Sequence, residues 1–453
     1  WTSRTFGGFV GSSFAFMGYT LETLAYLALI AISAVFAIGG VLVGLGDSSA
    51  FNLSLPTNVL ATFSSPSQVF SAEVSQFIVG AVIFAILIGI NIITPRTGYK
   101  LVSVLIIIGA ISLVVAIGTL LVSGSSGVSN YMSFANTNFG ANTSVSAVTS
   151  STPSSASSFN LSGVFYLIPF FAIFVYPWLN AAPAVASEMK GKSTVRWNVP
   201  ISAVASLLLI TSAFGAMYYA GGFTFVSGAL TGSLSSSADF NFWTFAMGAT
   251  TSYPLQAFIG LGWIVWNVGV LAYGVIVFSR YLFAQAFDRF LPERLAYVSP
   301  KYSSPVVAHV IDLIVTLVLI GIAAFVYGTL SLLFGNVVAA MVYFLVIGLA
   351  AATYAIRKEK GASKWTLAIA GILMAVVFAY ITSLFLGPYF ANLANCAGQF
   401  CVAYPNTWGG NPIGYGYVVG SFVLGAIIYA ASKSYHKSKG IDISLAYREI
   451  PPE

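Results

Sequence analysis

An all-α polytopic membrane protein is the fold class this sequence predicts, and three observations lead there. Hydrophobic residues make up 58% of the chain and charged residues 7%, against about a quarter charged in soluble domains. Ten stretches of about 20 or more mostly apolar residues follow one another, each long enough to cross a bilayer as a helix. All 18 Lys and Arg residues then fall in alternate connections between those stretches. They are Arg4; Arg96 and Lys100; Lys190, Lys192 and Arg196; the run Arg280 to Lys301; Arg357 to Lys364; and Lys433 to Arg448. Short basic loops stay in the cytoplasm, so both termini of this chain are expected there, in a multi-pass protein of the plasma membrane. The net charge of +6 is a topology signal and gives no footing for binding nucleic acid.

The ten spans are read at 8–45, 73–94, 99–123, 163–188, 198–221, 254–284, 304–326, 331–356, 365–387 and 412–432. The first and sixth exceed 30 residues, so they must tilt or project from the membrane. Residues 124–160 are dominated by Ser, Thr, Asn and Gly, the composition of a flexible solvated loop. The sequons at Asn52, Asn142 and Asn160 all lie in loops placed outside, as glycosylation candidates. Cys396 and Cys401 share the outer loop 388–411, where an oxidising compartment favours a disulfide; the alternative is two free thiols. Residues 223–252 are too polar to span. Phe240 to Phe245 mixes aromatic with polar side chains, which suits an interfacial or re-entrant helix and equally a loop lying on the headgroups.

Candidate functional residues come from what a membrane span does not tolerate. The fourth span carries Pro169, Pro177 and Pro183, and each proline removes a backbone donor and clashes with the preceding turn. Pro177 and Pro183 flank Asn180, so an unwound stretch is expected over 170–183. Half-helix ends at that depth bind solutes in transporters; a structural kink is the other reading. Ile173, Phe174, Tyr176, Pro177, Trp178 and Asn180 would line such a break. Glu22 lies about 20 Å along the first span, beside Tyr19, Thr20, Thr23 and Tyr26. A carboxylate at that depth marks a functional position, either carrying a proton or holding a substrate amine; a protonated, purely structural Glu is the alternative. Asn267, Tyr273 and Gly274 on the sixth span complete the candidate lining. His309 and Asp312, about 6–10 Å into the seventh span, read as structural groups at the cytoplasmic rim, and Glu188 as an anchor beside Lys190.

One motif carries a family resemblance. The chain runs Ser279-Arg280, then Asp288-Arg289-Phe290-Leu291-Pro292, then Ser304-Pro305. This resembles the amino acid/polyamine/organocation transporter superfamily, whose eighth helix ends in Ser-Arg, Asp-Gly-x-Leu-Pro and a following Thr-Pro. Phe170-Phe171-Ala172 and Glu188-Met189-Lys190 are similar to the ends of that family's sixth helix, and Trp1 to Phe9 to the entry of its third. Arg289 stands where the family has Gly, Ser304 where it has Thr, and Pro177-Trp178 where it commonly has Gly-Phe.

The resemblance implies an inverted five-plus-five helix repeat, with the ten spans equivalent to helices three to twelve and helices one and two preceding Trp1. Residues 1–123 would then be the last three helices of the first repeat. Residues 124–160 form the outer loop, 163–356 the second repeat, and 357–453 two additional helices and a tail. It implies a secondary transporter of amino acids or related organic cations, working by alternating access and needing no cofactor. The sixth span lacks the adjacent hydroxyl pair of sodium-coupled relatives, and residues 101–123 lack the Lys of some proton-coupled ones. Glu22 is therefore the proton-coupling candidate. The expected partners are the small-molecule substrate, a proton, the lipid bilayer and a partner subunit or second copy. The alternative function is a non-transporting subunit or sensor that keeps the fold. No nucleophile elbow or phosphate loop supports an enzyme.

Overall fold

The computed structural model describes residues 2–54, 66–152, 161, 179–188, 190–232, 234, 238–392 and 412–447. Among these, nine helices are long and apolar enough to cross a membrane, and they coincide with nine of the ten expected spans. The fourth expected span, 163–188, lies mostly outside the described residues. Its described portion, Leu179–Glu188, winds as a 3₁₀-helix. Such runs rarely exceed three or four residues, so this half of the segment departs from regular α geometry.

The spans are α1 (Gly8–Gly44), α2 (Pro66–Ile93), α3 (Pro95–Ser123) and, after residues 124–191, α6 (Lys192–Gly221). Next come α9 (Tyr253–Phe287), α10 (Val306–Ile322), α11 (Gly328–Lys358), α12 (Gly361–Asn392) and α13 (Pro412–Ser438). Local chemistry sets their ends. Pro95 follows an extended Thr94 and opens α3, where a missing N–H costs nothing. Gly191 and Gly222 bracket α6 with φ of 89° and 70°, conformations that exclude most side chains.

Burial ranks the spans. In the most apolar window of α1, 78% of residues are buried, against 6% for α6; α1 is the axis of the bundle and α6 faces lipid. On α3, Val104, Ile107, Ile111 and Val114 are all more than half exposed. Their spacing of three and four residues makes a lipid-facing stripe.

The described part of the expected flexible loop, residues 124–152, is mostly helical. It holds α4 (Ser126–Asn138) and α5 (Val145–Ser150). Tyr131, Met132, Phe134 and Phe139 are buried there, and a few aromatic residues at helical spacing bury enough surface to outweigh a polar average. Residues 223–252 form α7 (Phe223–Thr231) and α8 (Phe242–Gly248). A capping box between Asn241 and Thr244 starts α8, satisfying amides the helix cannot. Tyr131 meets Phe245 at 5.4 Å and Phe240 at 5.2 Å between ring centroids. These four helices form a cap with its own core at one end of the bundle. A separate core joins α1, α2, α9, α10 and α13 toward the opposite, basic end.

Candidate functional site

At Phe16–Leu21, inside α1, the backbone loosens into a π-helical turn directly before Glu22. Insertions of this kind disturb the regular hydrogen-bond ladder and recur at functional positions. The Glu22 side chain is 3% exposed, and Thr23 donates to its Oε2 at 3.3 Å. Tyr19, Tyr26, Tyr281 and Tyr417 all lie within electrostatic reach of this carboxyl group.

Aromatic rings enclose it. Tyr19 stacks on Tyr281 of α9 at 4.8 Å and meets the edge of Tyr343 of α11 at 4.6 Å. Tyr417 of α13 donates its hydroxyl to the carbonyl of Leu21, one of the groups at the π-turn. Thr20 donates to Gln285 Oε1 at 2.9 Å. Four spans thus converge on the turn, and Tyr281, Tyr343, Tyr417 and Gln285 join Tyr19 and Glu22 in the site.

The other candidates distribute unevenly. Tyr273 and Tyr281 both pack on a small core that holds Ala181 and Val185 of the 3₁₀-helix, so Tyr273 links that helix to the tyrosine cluster. Gly274 is buried in α9. Asn267 stands about 9 Å further along the same helix and gives its amide to the Trp263 carbonyl at 3.0 Å, bonding its own backbone rather than the cluster. Ile173, Phe174, Tyr176, Pro177 and Trp178 lie outside the described residues, as does the side chain of Asn180. Cys396, Cys401 and Asn160 lie outside them too. Of the remaining sequons, Asn142 is exposed, whereas Asn52 is half-buried with its carbonyl accepting from Gln76 of α2 at 3.0 Å, and its sequon's Ser54 is 1% exposed.

Below the tyrosines a latch closes the basic end. Glu188 receives Arg280 Nε at 2.8 Å and Nη2 at 3.2 Å, and the Tyr99 hydroxyl at 2.7 Å. The partner of Glu188 is therefore Arg280, not Lys190, and a fork of two parallel bonds fixes its geometry. Arg280 also donates to Ser279 Oγ at 2.8 Å. The Ser-Arg pair of the signature motif thereby ties the 3₁₀-helix to α9 and α3. Further on, Ser304 donates to the Asn91 carbonyl at 3.1 Å, which binds the loop after α9 to the end of α2. Asp288, at the end of α9, is half-buried, and burial raises its carboxyl above the usual range against the pull of Arg4.

The cap holds a polar pair that the sequence did not single out. Asp239 precedes α8 with φ of 46°, and burial pushes its carboxyl up to about 8. Its Oδ2 and the Tyr131 hydroxyl are both buried without a hydrogen-bond partner among the described residues. The same Oδ2 closes over α1 at Gly40, beside Trp263.

Among the described residues, the geometry is that of a bundle around a buried acid, with the helical cap at one end and the Glu188–Arg280 ion pair at the other. No curated protein matches the chain. A family comparison does: over residues 1–395 the sequence matches Amino acid permease. That match covers most of the chain, including α1, the 3₁₀-helix, the signature loop and α12, and on it the protein belongs to the amino acid permease family.

Proposed function

We propose that this permease is a proton-coupled secondary transporter of amino acids or related organic cations, working by alternating access, with Glu22 as the group that carries the proton. Family membership makes the chain a membrane transporter rather than an enzyme. The observation that carries the finer reading is Glu22 itself. It is a carboxyl group 3% exposed, set at a π-turn and enclosed by tyrosines from three other spans. Ionisable groups at membrane depth are costly and mark pathways for ions and protons.

In this reading Tyr19, Tyr273 and Gly274 line the substrate path with the break at Ile173, Phe174, Tyr176, Pro177, Trp178 and Asn180. Asn267 offers its side-chain oxygen above them. The Tyr19–Tyr281–Tyr343 cluster and the Glu188–Arg280 latch close the cytoplasmic side, and the cap of α4, α5, α7 and α8 closes the outer side. The inverted repeat, cytoplasmic termini and a plasma-membrane location belong to the same proposal. So do a Cys396–Cys401 disulfide and a glycan, for which Asn142 is the best-placed acceptor.

The test is uptake of a labelled amino-acid panel into proteoliposomes holding the full-length protein, with and without an inward proton gradient. One proton per substrate lets each pH unit of gradient support about tenfold accumulation. Glu22→Gln should abolish that accumulation while exchange of internal for external substrate continues. Gradient-driven uptake that survives in Glu22→Gln would remove Glu22 from the mechanism.

A further inference from the structure

The seventh expected span was read as carrying structural groups at its cytoplasmic rim, and the structure shows those groups buried on one face of the helix. On α10, His309, Asp312 and Thr316 are each 1% exposed or less. Spacings of three and four residues stack them on one face, which turns into the bundle among Leu27, Leu87, Ile88, Phe278 and Ala308. Thr316 donates to Asp312 Oδ1 at 3.0 Å. Asp312 Oδ2 and His309 Nδ1 are buried with no hydrogen-bond partner among the described residues.

A rim anchor needs a cation or donors at those atoms. Among the described residues, no ion pair reaches Asp312. The packed elements carry these titratable groups: Tyr19, Glu22 and Tyr26 on α1, Glu73 at the far end of α2, Tyr253, Tyr273, Arg280 and Tyr281 on α9, and Glu293 with Arg294 in the turn before α10. Arg280 is the one whose charge reaches His309. An ionised carboxylate so placed would lack the compensation that buried charges require; a carboxyl group carrying its proton does not.

We propose that Asp312 is a proton-exchanging site of this permease, separate from Glu22, with His309 as the relay between it and the basic end. His309 precedes Asp312 by one helical turn on the side where α10 begins. The step is a plain proton transfer. Neither atom is hydrogen-bonded to the other, so one bridging water carries the proton: the O–H bond at Asp312 Oδ2 breaks as the water takes that proton, one of the water's own O–H bonds breaks as an N–H bond forms at the His309 Nδ1 lone pair, and the imidazolium passes its other ring proton to water at the basic end. Reprotonation of the carboxylate reverses the path. Two acids at different depths, Glu22 on the axis helix and Asp312 beside it, would let proton entry and release occur at distinct groups. The use in coupling rests on the proposed proton-driven transport; the protonated carboxyl group does not.

Infrared spectroscopy of the full-length protein in lipid tests it without substrate. At neutral pH the protein should show the carbonyl band of a protonated, buried carboxylic acid that Glu22→Gln and Asp239→Asn retain and Asp312→Asn loses. Thr316→Val, which removes the bond to Oδ1, should shift that band without abolishing it. His309→Gln should slow its deuterium exchange severalfold. A spectrum unchanged in Asp312→Asn overturns the proposal, and so does an unmoved band in Thr316→Val if the first variant does not fold. Because the band is read at rest, a sample that shows it but no proton-driven uptake separates failure of the transport reading from failure of this one.

Discussion

Gly18 has no room for a side chain: a Cβ built there would fall 2.2 Å from Tyr343 Cγ and 2.3 Å from its Cβ. The ring of Tyr343 rests directly on the α1 backbone, and that approach sets the edge contact with Tyr19. Gly18→Ala should therefore push Tyr343 away and cost about 1–3 kcal/mol, as overpacking typically does. Thermal unfolding in detergent measures the loss, and adding Tyr343→Ala should recover part of it. At this scale Glu22 was legible in the sequence as a position to test, because a carboxylate inside an apolar run is costly at mid-membrane whether it is functional or structural. Tyr281, Tyr343 and Tyr417 were not. A tyrosine in an apolar helix reads the same whether it faces lipid or a buried acid, and only the packing of α9, α11 and α13 against α1 decides between them. Asn267 shows another limit, since a bond from its amide to the carbonyl one turn back in its own helix is not visible in the sequence.

Among the elements, the end of α9 shows what a departure from the family pattern does. Arg289 occupies the position where relatives have Gly, with φ of 59°. A left-handed conformation costs a residue with a Cβ about 1–2 kcal/mol, and glycine avoids that cost. The exposed Arg289–Glu293 pair at 3.5 Å returns little of it. Arg289→Gly should raise stability by about 1 kcal/mol, seen as a higher Tm of the detergent-solubilised protein. The spans themselves were legible to within a few residues, because apolar length is dictated by the bilayer. The cap was legible only in part. Phe240 to Phe245 suited a short helix as well as a loop, and α8 is a helix there, whereas the buried face of α4 is a few aromatic residues set among Ser, Asn and Thr, so an averaged composition conceals it. The Arg280 to Ser304 motif was legible as a signature, but its physical content is a set of ties, to Glu188 and Asn91, that no spacing reveals.

Across the whole molecule, the cap makes stability depend on pH. Asp239, pushed up to about 8 by burial, binds its proton more tightly in the folded chain than in the unfolded one, where a value near 4 is normal. Stability should therefore be greatest in acid and fall as pH rises from about 4 to about 8, by at most about 1.4 kcal/mol per pH unit. Asp239→Asn, tolerated because Asn adopts positive φ readily, should flatten that slope in melting curves taken across the range. The two cores of the bundle answer to different conditions in this respect, one to the proton concentration at the cap and the other to the packing around α1. The peripheral position of α6, few of whose residues are buried among the described ones, carries a different consequence. With much of its length only partly covered, its tilt and seating follow hydrocarbon thickness. Short-chain and long-chain lipids then hold that helix differently, and any rearrangement that moves it is governed by the host membrane as well as by the polypeptide.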